Sequence, residues 1–514
     1  MEAFETVLAL LMGATLLSAV AKRICIPYPT LLAIGGALIT LLPGAPSLEV
    51  PPTLIMCLFV APVLVDAAHD ASLRDLRHNW TPILSLVLGA VALTTVAVAV
   101  AARMLFPDFP WPAAIVLGAL LAPPDAVAAL AVLGQLNPPH RIRVILEGES
   151  LLNDASALLI YKLALGATAL GSLSITSIVP SLGFVVLGGM ALGWLASWPA
   201  AWITGRCDDA PSLVIFQFVL TFALWLLAEH LGVSGVMTLV VFALTMARRH
   251  SHRMPARQRI PSFAIWETVT LVLNVLAFTL IGLQLRPILG PLDAATRNRY
   301  LVAGLVIFLC VVIVRIAWVF AHHLFVTTRN RLAQPENHDA NRPTAKHALL
   351  VGWAGMRGIV TLAAAMALPP QFPYRDFIEL TAFIVVLGSL VVQGMTLRPL
   401  LGWFRLPHDS ILAAELQAGR QQALQAALAV IEQTKPQAEC LKREYTEALS
   451  RTREGLDPRD TADNALRLTA ITAARKALDA LRHTGVIGDD AYRQIENELD
   501  WREMSCAPGD SSSS

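Results

Sequence analysis

Charged residues are scarce in this chain. Asp, Glu, Lys and Arg make up 15% of its 514 residues, apolar residues make up 55%, and the mean hydropathy is +0.59. A soluble globular protein carries about 25% charged residues, so this composition excludes an ordinary soluble domain. The net charge of +1 gives no electrostatic basis for binding a polyanion, and we expect no nucleic-acid partner.

Patterns for disulfides, metals and enzymatic nucleophiles are missing as well. The six cysteines are scattered without Cys-x-x-Cys spacing, which excludes a disulfide framework or a zinc site. An intramembrane enzyme would need Ser or Cys beside a base at the same depth, whereas the histidines fall mainly at the ends of apolar runs or in loops. We therefore predict that the protein is not an enzyme and needs no cofactor.

The sequence instead contains many long runs of apolar residues. Each is long enough to cross a hydrocarbon core of about 30 Å as a helix. Because the backbone must satisfy its own hydrogen bonds in lipid, only a helical bundle suits such runs. The predicted fold is an all-α polytopic membrane protein with thirteen transmembrane helices, at roughly 3–21, 29–45, 52–69, 82–103, 111–134, 143–165, 174–203, 211–230, 231–247, 262–286, 300–326, 346–368 and 377–401.

The basic residues of the loops predict the orientation. Sixteen Lys and Arg residues lie in loops on one side and five on the other, in strict alternation along the chain. Cytoplasmic loops retain Lys and Arg. We expect a multi-pass protein of the cell inner (plasma) membrane, surrounded by lipid, with its N-terminus outside and its C-terminus in the cytoplasm.

The composition changes near residue 405. Residues 1–404 form the predicted membrane domain, and residues 405–505 are polar with apolar positions at helical spacing. These indicate a cytoplasmic helical domain, followed by a disordered tail at 506–514. Sensing, regulation, dimer stabilisation and simple packing all stay open for this domain.

Ionisable residues inside the membrane are the strongest functional signal. Asp125 lies about halfway through span five, and Asn153 and Asp154 lie at a similar depth in span six. Glu149 and Ser150 lie one turn earlier and extend this polar patch. The shared depth predicts one site near the middle of the bilayer.

Two spans of opposite direction are interrupted at that depth. Span five contains Pro123 and Pro124, and span twelve contains three glycines around Arg357. Broken helices at matching places in two halves of opposite topology indicate inverted repeats with an ion site where the broken helices cross. Proline lacks only the donor, so the Pro124 carbonyl is a candidate ligand.

Structural interpretations stand beside these. Asp125 alone would serve as the cap of a kinked helix, and Asn153 with Asp154 as a buried hydrogen-bonding pair. Glu149 and Arg357 are predicted to form a structural ion pair between spans six and twelve, because Arg cannot release its proton. The role of Asp66 is left open, because this residue marks either an inner access path or the membrane interface. Arg315 is predicted to be a packing partner.

Carboxylate, amide and hydroxyl oxygens suit a small hard cation. A partly desolvated carboxylate also binds a proton near neutral pH, so a cation and a proton would compete for Asp154. A single titrating carboxylate predicts electroneutral exchange of one small monovalent cation for one H+. A K+/H+ antiporter of the same fold is the alternative, because sequence does not supply the cavity geometry that selects ion size; a cation channel is a further one.

The motifs "GESLLNDA", "APPDAVAAL" and "GWAGMRGIVTLAAAMALPP" resemble those of bacterial sodium/proton antiporters of the cation:proton antiporter-1 family, relatives of animal sodium/proton exchangers. The resemblance covers about residues 3–402. It implies exchange of Na+, or Li+, for H+, serving pH and sodium homeostasis. It also implies a homodimer in which a six-helix core moves past a dimer-forming part. It also implies roles at these positions: Asp154 as the ion- and proton-binding carboxylate, Asn153 as its partner, Asp125 as the Asp of the unwound span, Ser150 as a coordinating hydroxyl, and Glu149 with Arg357 as the core ion pair. The Asn-Asp pairing is the form associated with electroneutral exchange, and Asp66 matches an acidic position of span three loosely.

The chain departs from this family at one point. Where the family often has Thr-Asp-Pro, this sequence has Pro124-Asp125-Ala126. The threonine hydroxyl is therefore absent, and the backbone carbonyl of Pro124 is the oxygen that remains at that position.

Overall fold

A computed structural model describes most of the chain, in ten ranges. All regular secondary structure within these ranges is helical, and they contain no β-strand. The all-α prediction is therefore confirmed for the described residues, which are 2–24, 26–41, 51–133, 139–170, 175–207, 209–250, 256–333, 344–404, 439–483 and 489–506.

The chain divides into two compact units, Met1–Leu406 and Pro407–Ser514. The first unit holds twenty described α-helices, numbered here in chain order: α1 Glu2–Ile24, α2 Tyr28–Thr40, α3 Pro52–Ile55, α4 Ala61–Asp70, α5 Leu73–His78, α6 Trp80–Leu84, α7 Val91–Leu105, α8 Trp111–Leu121, α9 Ala126–Leu133, α10 His140–Leu170, α11 Ile175–Thr204, α12 Ala210–His230, α13 Gly235–His250, α14 Ala256–Leu283, α15 Leu285–Leu289, α16 Ala294–Ala333, α17 Ala345–Trp353, α18 Ile359–Met366, α19 Arg375–Gly388 and α20 Gly394–Phe404.

Six helices of the described residues are long and apolar enough to cross a membrane. They coincide with predicted spans four, seven, eight, ten, eleven and thirteen, and are Trp80–Leu105, Gly183–Thr204, Ala210–His230, Ile260–Leu289, Ala294–Arg329 and Arg375–Phe404. Shorter apolar helices coincide with spans one, two, three and nine and with the first half of span five. The protein is thus a multi-span membrane protein.

Small residues allow the helices of the first unit to pack closely. A Cβ on Gly36 in α2 would overlap the backbone of Thr279 in α14, and a Cβ on Gly282 would overlap the backbone of Ala33. Gly118 lies in the same way against the backbone of Thr95. Helices in lipid associate through such close backbone approaches, because apolar burial gives little driving force there.

Three π-helical segments interrupt otherwise continuous helices, at Met56–Val60, Ser85–Ala90 and Ser389–Gln393. A π-turn shifts the regular ladder and frees carbonyl oxygens. Side chains of neighbouring helices take up such oxygens: Ser156 Oγ donates to Val87 O at 3.0 Å, and Thr30 Oγ1 donates to Leu390 O at 2.7 Å. The wide turns thereby connect helices that are distant in sequence.

The second unit contains three described helices, α21 Glu439–Arg453, α22 Ala462–His483 and α23 Asp489–Cys506. Nη1 and Nη2 of Arg467 donate to the Glu444 carboxylate at 2.8 and 2.9 Å, which connects α22 to α21. This hydrogen bonding lowers the pKa of Glu444 below its ordinary value. The helical domain predicted at 405–505 is described over 439–483 and 489–505, where α21 to α23 lie, and Cys506, the first residue of the disordered tail predicted at 506–514, ends α23. Residues 405–438, 484–488 and 507–514 lie outside the described residues.

Candidate functional site

The first predicted break is present in the structure. Helix α8 ends at Leu121 and α9 begins at Ala126, with non-helical backbone between them. Pro123 and Pro124 are buried in this gap, and neither has an N–H with which to continue the helix. The prolines therefore end α8 inside the protein and leave its last carbonyls in need of other partners.

The second predicted break is also present. Helix α17 ends at Trp353 and α18 begins at Ile359. Glycine is required at two positions of this gap, because neighbouring side chains occupy the space of a Cβ: the Arg315 guanidinium at Gly355 and the Asp125 carboxylate at Gly358. The glycines predicted to break the helix thus also make room for two charged groups.

The two breaks contact each other directly. The backbone N–H of Asp125 donates to Met356 O at 2.6 Å. In the opposite direction, Arg357 Nε donates to Leu121 O at 3.1 Å, and the same guanidinium donates to Gly355 O. Each unwound segment therefore supplies the hydrogen bonds that the other has lost.

Charged side chains at the breaks match the polarity of the helix ends. The Asp125 carboxylate accepts a hydrogen bond from Val127 N at 2.8 Å and so caps the N-terminus of α9, and it lies against Gly358 at the start of α18. Arg357 caps the C-terminus of α8 at Leu121. A helix carries partial positive charge at its N-terminus and partial negative charge at its C-terminus, so both placements are electrostatically favourable.

The predicted ion pair between Glu149 and Arg357 is wrong in its partner. Glu149 is buried and binds Arg315 of α16, with both carboxylate oxygens accepting from the guanidinium at 2.6 and 2.8 Å. Arg315 also donates to Gly352 O and Val351 O, each at 3.2 Å, and thereby caps the end of α17. The bidentate geometry uses both oxygens of Glu149, while Arg357 is occupied with the carbonyls of the two breaks.

Sequence predicts Arg315 only as a packing partner, whereas in the structure it binds Glu149 and caps α17. A signal for it existed, because an arginine within an apolar run must find a carboxylate or carbonyls in the protein interior. Ser389 gave no such signal. Its hydroxyl lies in a π-helical segment and accepts from the Arg357 backbone N–H at 3.0 Å.

Asn153 holds the first break in place. Its side-chain Nδ2 donates to Pro124 O at 2.8 Å, and the residue is fully buried. The side-chain oxygen of Asn153 has no hydrogen-bond partner among the described residues. A buried acceptor without a partner is costly, so this oxygen is available to a cation or a donor. Asp154 follows Asn153 in α10, and its side chain lies outside the described residues.

A cavity of about 80 Å³ opens beside Asp125. Its polar lining comes from Asp125, Glu147, Ser150 and Asn274, and apolar side chains of the π-helical segment Met56–Val60 and of α4, α9, α10, α14 and α18 form the rest. Asp125 and Ser150 are thus brought together by the fold, as predicted. Asp66 is not part of this group, because it lines a different cavity together with His69, Gln217 and Trp266 among others.

The oxygen atoms that could bind a cation at the site are hard ligands. The Asp125 carboxylate, the Ser150 hydroxyl and the Asn153 amide oxygen belong to the class that binds small monovalent and other hard cations. Within the described residues there is no group of three or more His, Cys, Asp or Glu side chains that could hold a resident metal ion.

Residues 7–403 match the family model described as sodium/hydrogen exchanger, transmembrane. The chain belongs to the sodium/hydrogen exchanger family. As an exchanger it is a transporter and not an enzyme, and the match spans both broken helices. The resemblance inferred from the short motifs is therefore confirmed over nearly the whole membrane region.

Individual relatives agree with this assignment. A protein named as an uncharacterized Na+/H+ exchanger in Mycobacterium bovis is 30% identical, over 97% of this exchanger and 95% of the relative. A sodium, potassium, lithium and rubidium/H+ antiporter of Bacillus pumilus is 31% identical, over 78% of this exchanger and 62% of the relative. The solved structure of a sodium proton antiporter from Methanocaldococcus jannaschii at pH 8 has the same fold, with a TM-score of 0.60 and 18% identity, over 78% of this exchanger and 98% of that chain.

Proposed function

We propose that this exchanger binds one monovalent cation or one proton at a time at the crossing of the two broken helices, and exchanges Na+ for H+ without net charge movement. Li+ is expected to replace Na+. The proposed site comprises Asp154, Asp125, Asn153, Ser150 and the Pro124 carbonyl. The observation that carries it is the buried amide oxygen of Asn153, which has no partner beside an unwound segment that bears a carboxylate.

Asp154 is proposed as the group that exchanges the cation for the proton. It lies four residues after Ser150 in α10, and residues at that spacing share a helix face. Ser150 lines the cavity next to Asp125. A single titrating carboxylate that binds either Na+ or H+, and never both, gives one-for-one exchange. Asp66 is not included, since it lines a separate cavity.

The experiment compares Asp154→Asn with the unmodified protein in proteoliposomes that contain a pH-sensitive dye. Addition of Na+ should move protons in vesicles with the unmodified protein and not with the variant, because an amide does not titrate. Matching melting temperatures in detergent would verify that the variant is folded. Normal Na+-driven proton movement with Asp154→Asn would overturn the assignment.

Electroneutrality has its own test. Clamping the membrane potential with K+ and valinomycin should leave the rate of exchange unchanged at a fixed pH gradient. A rate that changes several-fold with potential would mean that charge moves in each cycle, and would exclude the one-for-one scheme.

K+/H+ exchange is the second candidate. The relative from Bacillus pumilus carries a name that includes potassium, and ion selectivity depends on cavity geometry at the ångström level. Titrating the same vesicles separately with Na+, Li+ and K+ decides between the two. A half-maximal response at a lower concentration of K+ than of Na+ would favour the potassium exchanger.

The wider organisation follows the same proposal. We infer thirteen transmembrane helices in inverted repeats, an N-terminus outside and a C-terminus in the cytoplasm of the cell inner membrane, and a homodimer. The alternation of basic loops supports the orientation. Residues 405–505 would then form a cytoplasmic helical domain. Cysteine labelling from each side of the membrane tests the orientation, since a residue of α22 should react only from the cytoplasm.

A further inference from the structure

A cavity of about 250 Å³ lies between α6, α10, α16 and α17, apart from the cavity beside Asp125. Its lining is rich in cationic and titratable side chains, and no carboxylate is among the residues that line it. The cationic and titratable members are His78, Arg141, His322, His323, Arg329 and His347.

The charges of this cavity are not neutralised by the described protein. Neither Arg141 nor Arg329 has an ion-pair partner within the described ranges. A carboxylate does occur next to Arg141, but it is occupied: Asp75 binds His140 at 3.1 Å and Arg74 at 3.2 Å. Grouped cations without counter-ions repel each other, so the cavity is arranged to receive negative charge.

His347 presents a donor in this group. Its Nδ1 accepts from the Thr344 backbone N–H at 3.4 Å and contacts Thr344 Oγ1 at 2.7 Å, at the start of α17. With Nδ1 acting as the acceptor, the proton of the neutral ring lies on Nε2. Helices α10 and α17 both begin at this end of the cavity, and their N-termini add partial positive charge.

The remaining wall of the cavity is apolar. Leu86, Ile142, Val319 and Val326 line it together with other aliphatic side chains. Large exposed apolar residues adjoin the lining in sequence, with Trp80 before Thr81 and Leu324 and Phe325 between His323 and Val326. A site for free phosphate needs no such wall, whereas an acyl chain does.

We propose that this cavity binds an anionic phospholipid, with the phosphate at the Arg and His side chains and an acyl chain along the apolar wall. Basic pockets between transmembrane helices suit such headgroups. The lipid would connect α10, α16 and α17, which carry Glu149, Arg315 and the first half of the second broken helix. Its binding therefore stabilises the arrangement of helices that holds the ion site.

The test uses the full-length purified protein in a neutral detergent. Phosphatidylglycerol should raise the melting temperature by about 3 °C or more relative to the same amount of phosphatidylcholine. The double variant Arg141→Gln with Arg329→Gln should lose this difference, and both side chains are exposed enough for the fold to tolerate the change. Arg206→Gln is the matched control, because Arg206 is stacked on Trp202 outside this cavity.

Native mass spectrometry provides a second measurement that does not depend on thermal unfolding. The unmodified protein and Arg206→Gln should retain phosphatidylglycerol, and the double variant should retain several-fold less. Equal retention by all three proteins would overturn the proposal. A third arm adds N-methylglucamine phosphate without lipid, so that no transported cation is introduced: the full rise in melting temperature from phosphate alone, with none from phosphatidylglycerol, would identify a soluble anion as the ligand and also overturn it.

Discussion

The two broken helices are both interrupted by non-helical backbone, but they carry opposite charges at the interruption. The α8–α9 break is made by prolines and carries a carboxylate, Asp125, whereas the α17–α18 break is made around glycines and carries a guanidinium, Arg357. Each charge stabilises helix ends that face the crossing. Only the carboxylate offers anionic oxygens to a cation, because the guanidinium remains protonated and has no acceptor.

The two breaks therefore have different tasks, one in binding and one in stability, which sequence alone does not distinguish. The proline break contributes groups to the cavity, including Asp125 itself. The glycine break contributes space and a fixed positive charge, and its arginine contacts carbonyls and a serine hydroxyl of the surrounding helices. Changes in the first break should therefore affect transport, and changes in the second should affect stability.

Among changes in the two breaks, the largest effect is expected for Asp125→Asn. The amide keeps the shape of the side chain and is itself a good N-cap, so the hydrogen bond to Val127 N and the fold should persist. Its negative charge beside the cavity is lost. Na+-driven proton movement in proteoliposomes should fall at least about tenfold, which corresponds to about 1.4 kcal/mol, with a nearly unchanged melting temperature. Full exchange activity would mean that Asp125 is only a cap.

Arg357→Ala should have the opposite profile. The change leaves Leu121 O and Gly355 O without their donor inside the protein, at a cost of about 3 kcal/mol. The melting temperature in detergent should fall by several degrees, while the Na+ concentration for half-maximal exchange by the folded fraction changes little. Arg297→Ala, an exposed arginine in α16, is the control. A melting temperature equal to that control would show that Arg357 does not hold the crossing together.

The sequence predicted the breaks better than the contacts within them. Pro123, Pro124 and the glycines around Arg357 end helices through local chemistry, which sequence displays directly. The partner of Glu149 was assigned wrongly because similar depth in the bilayer does not say which helix is adjacent. Arg315 lies 166 positions from Glu149, and only the tertiary packing of α16 on α17 brings it there.

The lining of the cavity shows the same limit of prediction from sequence. Asp125 and Ser150 were expected to belong to one polar patch, and both line the cavity, whereas no spacing argument connected Asp66 to them and it lines another cavity. Periodicity and charge predict how deep a residue lies along its own helix. The lateral arrangement of helices depends on close approaches such as Gly36 against Gly282, which no local pattern specifies.

Gly358→Ala alters the contact between the two breaks with a single substitution. An added Cβ would overlap the Asp125 carboxylate, so the carboxylate must shift or the segments must separate, at a cost of about 1–3 kcal/mol. Exchange should fall several-fold, less than for Asp125→Asn. Gly183→Ala is the matched control, because nothing lies within 4 Å of a Cβ there. Equal activity of the two variants would mean that the carboxylate does not need its present position.

The smallest effect is expected for Ser389→Ala. Its hydroxyl accepts from the Arg357 backbone N–H at 3.0 Å in a fully buried setting, and losing that acceptor costs about 1–2 kcal/mol. Ser197→Ala is the matched control: Ser197 is equally buried, but its hydroxyl only donates within its own helix, to Trp194 O. Ser389→Ala should therefore lower the melting temperature clearly more than Ser197→Ala does, and leave exchange by the folded protein nearly intact. Equal melting temperatures would show that the glycine break is held by Arg357 alone, without help from the π-helical segment beside it.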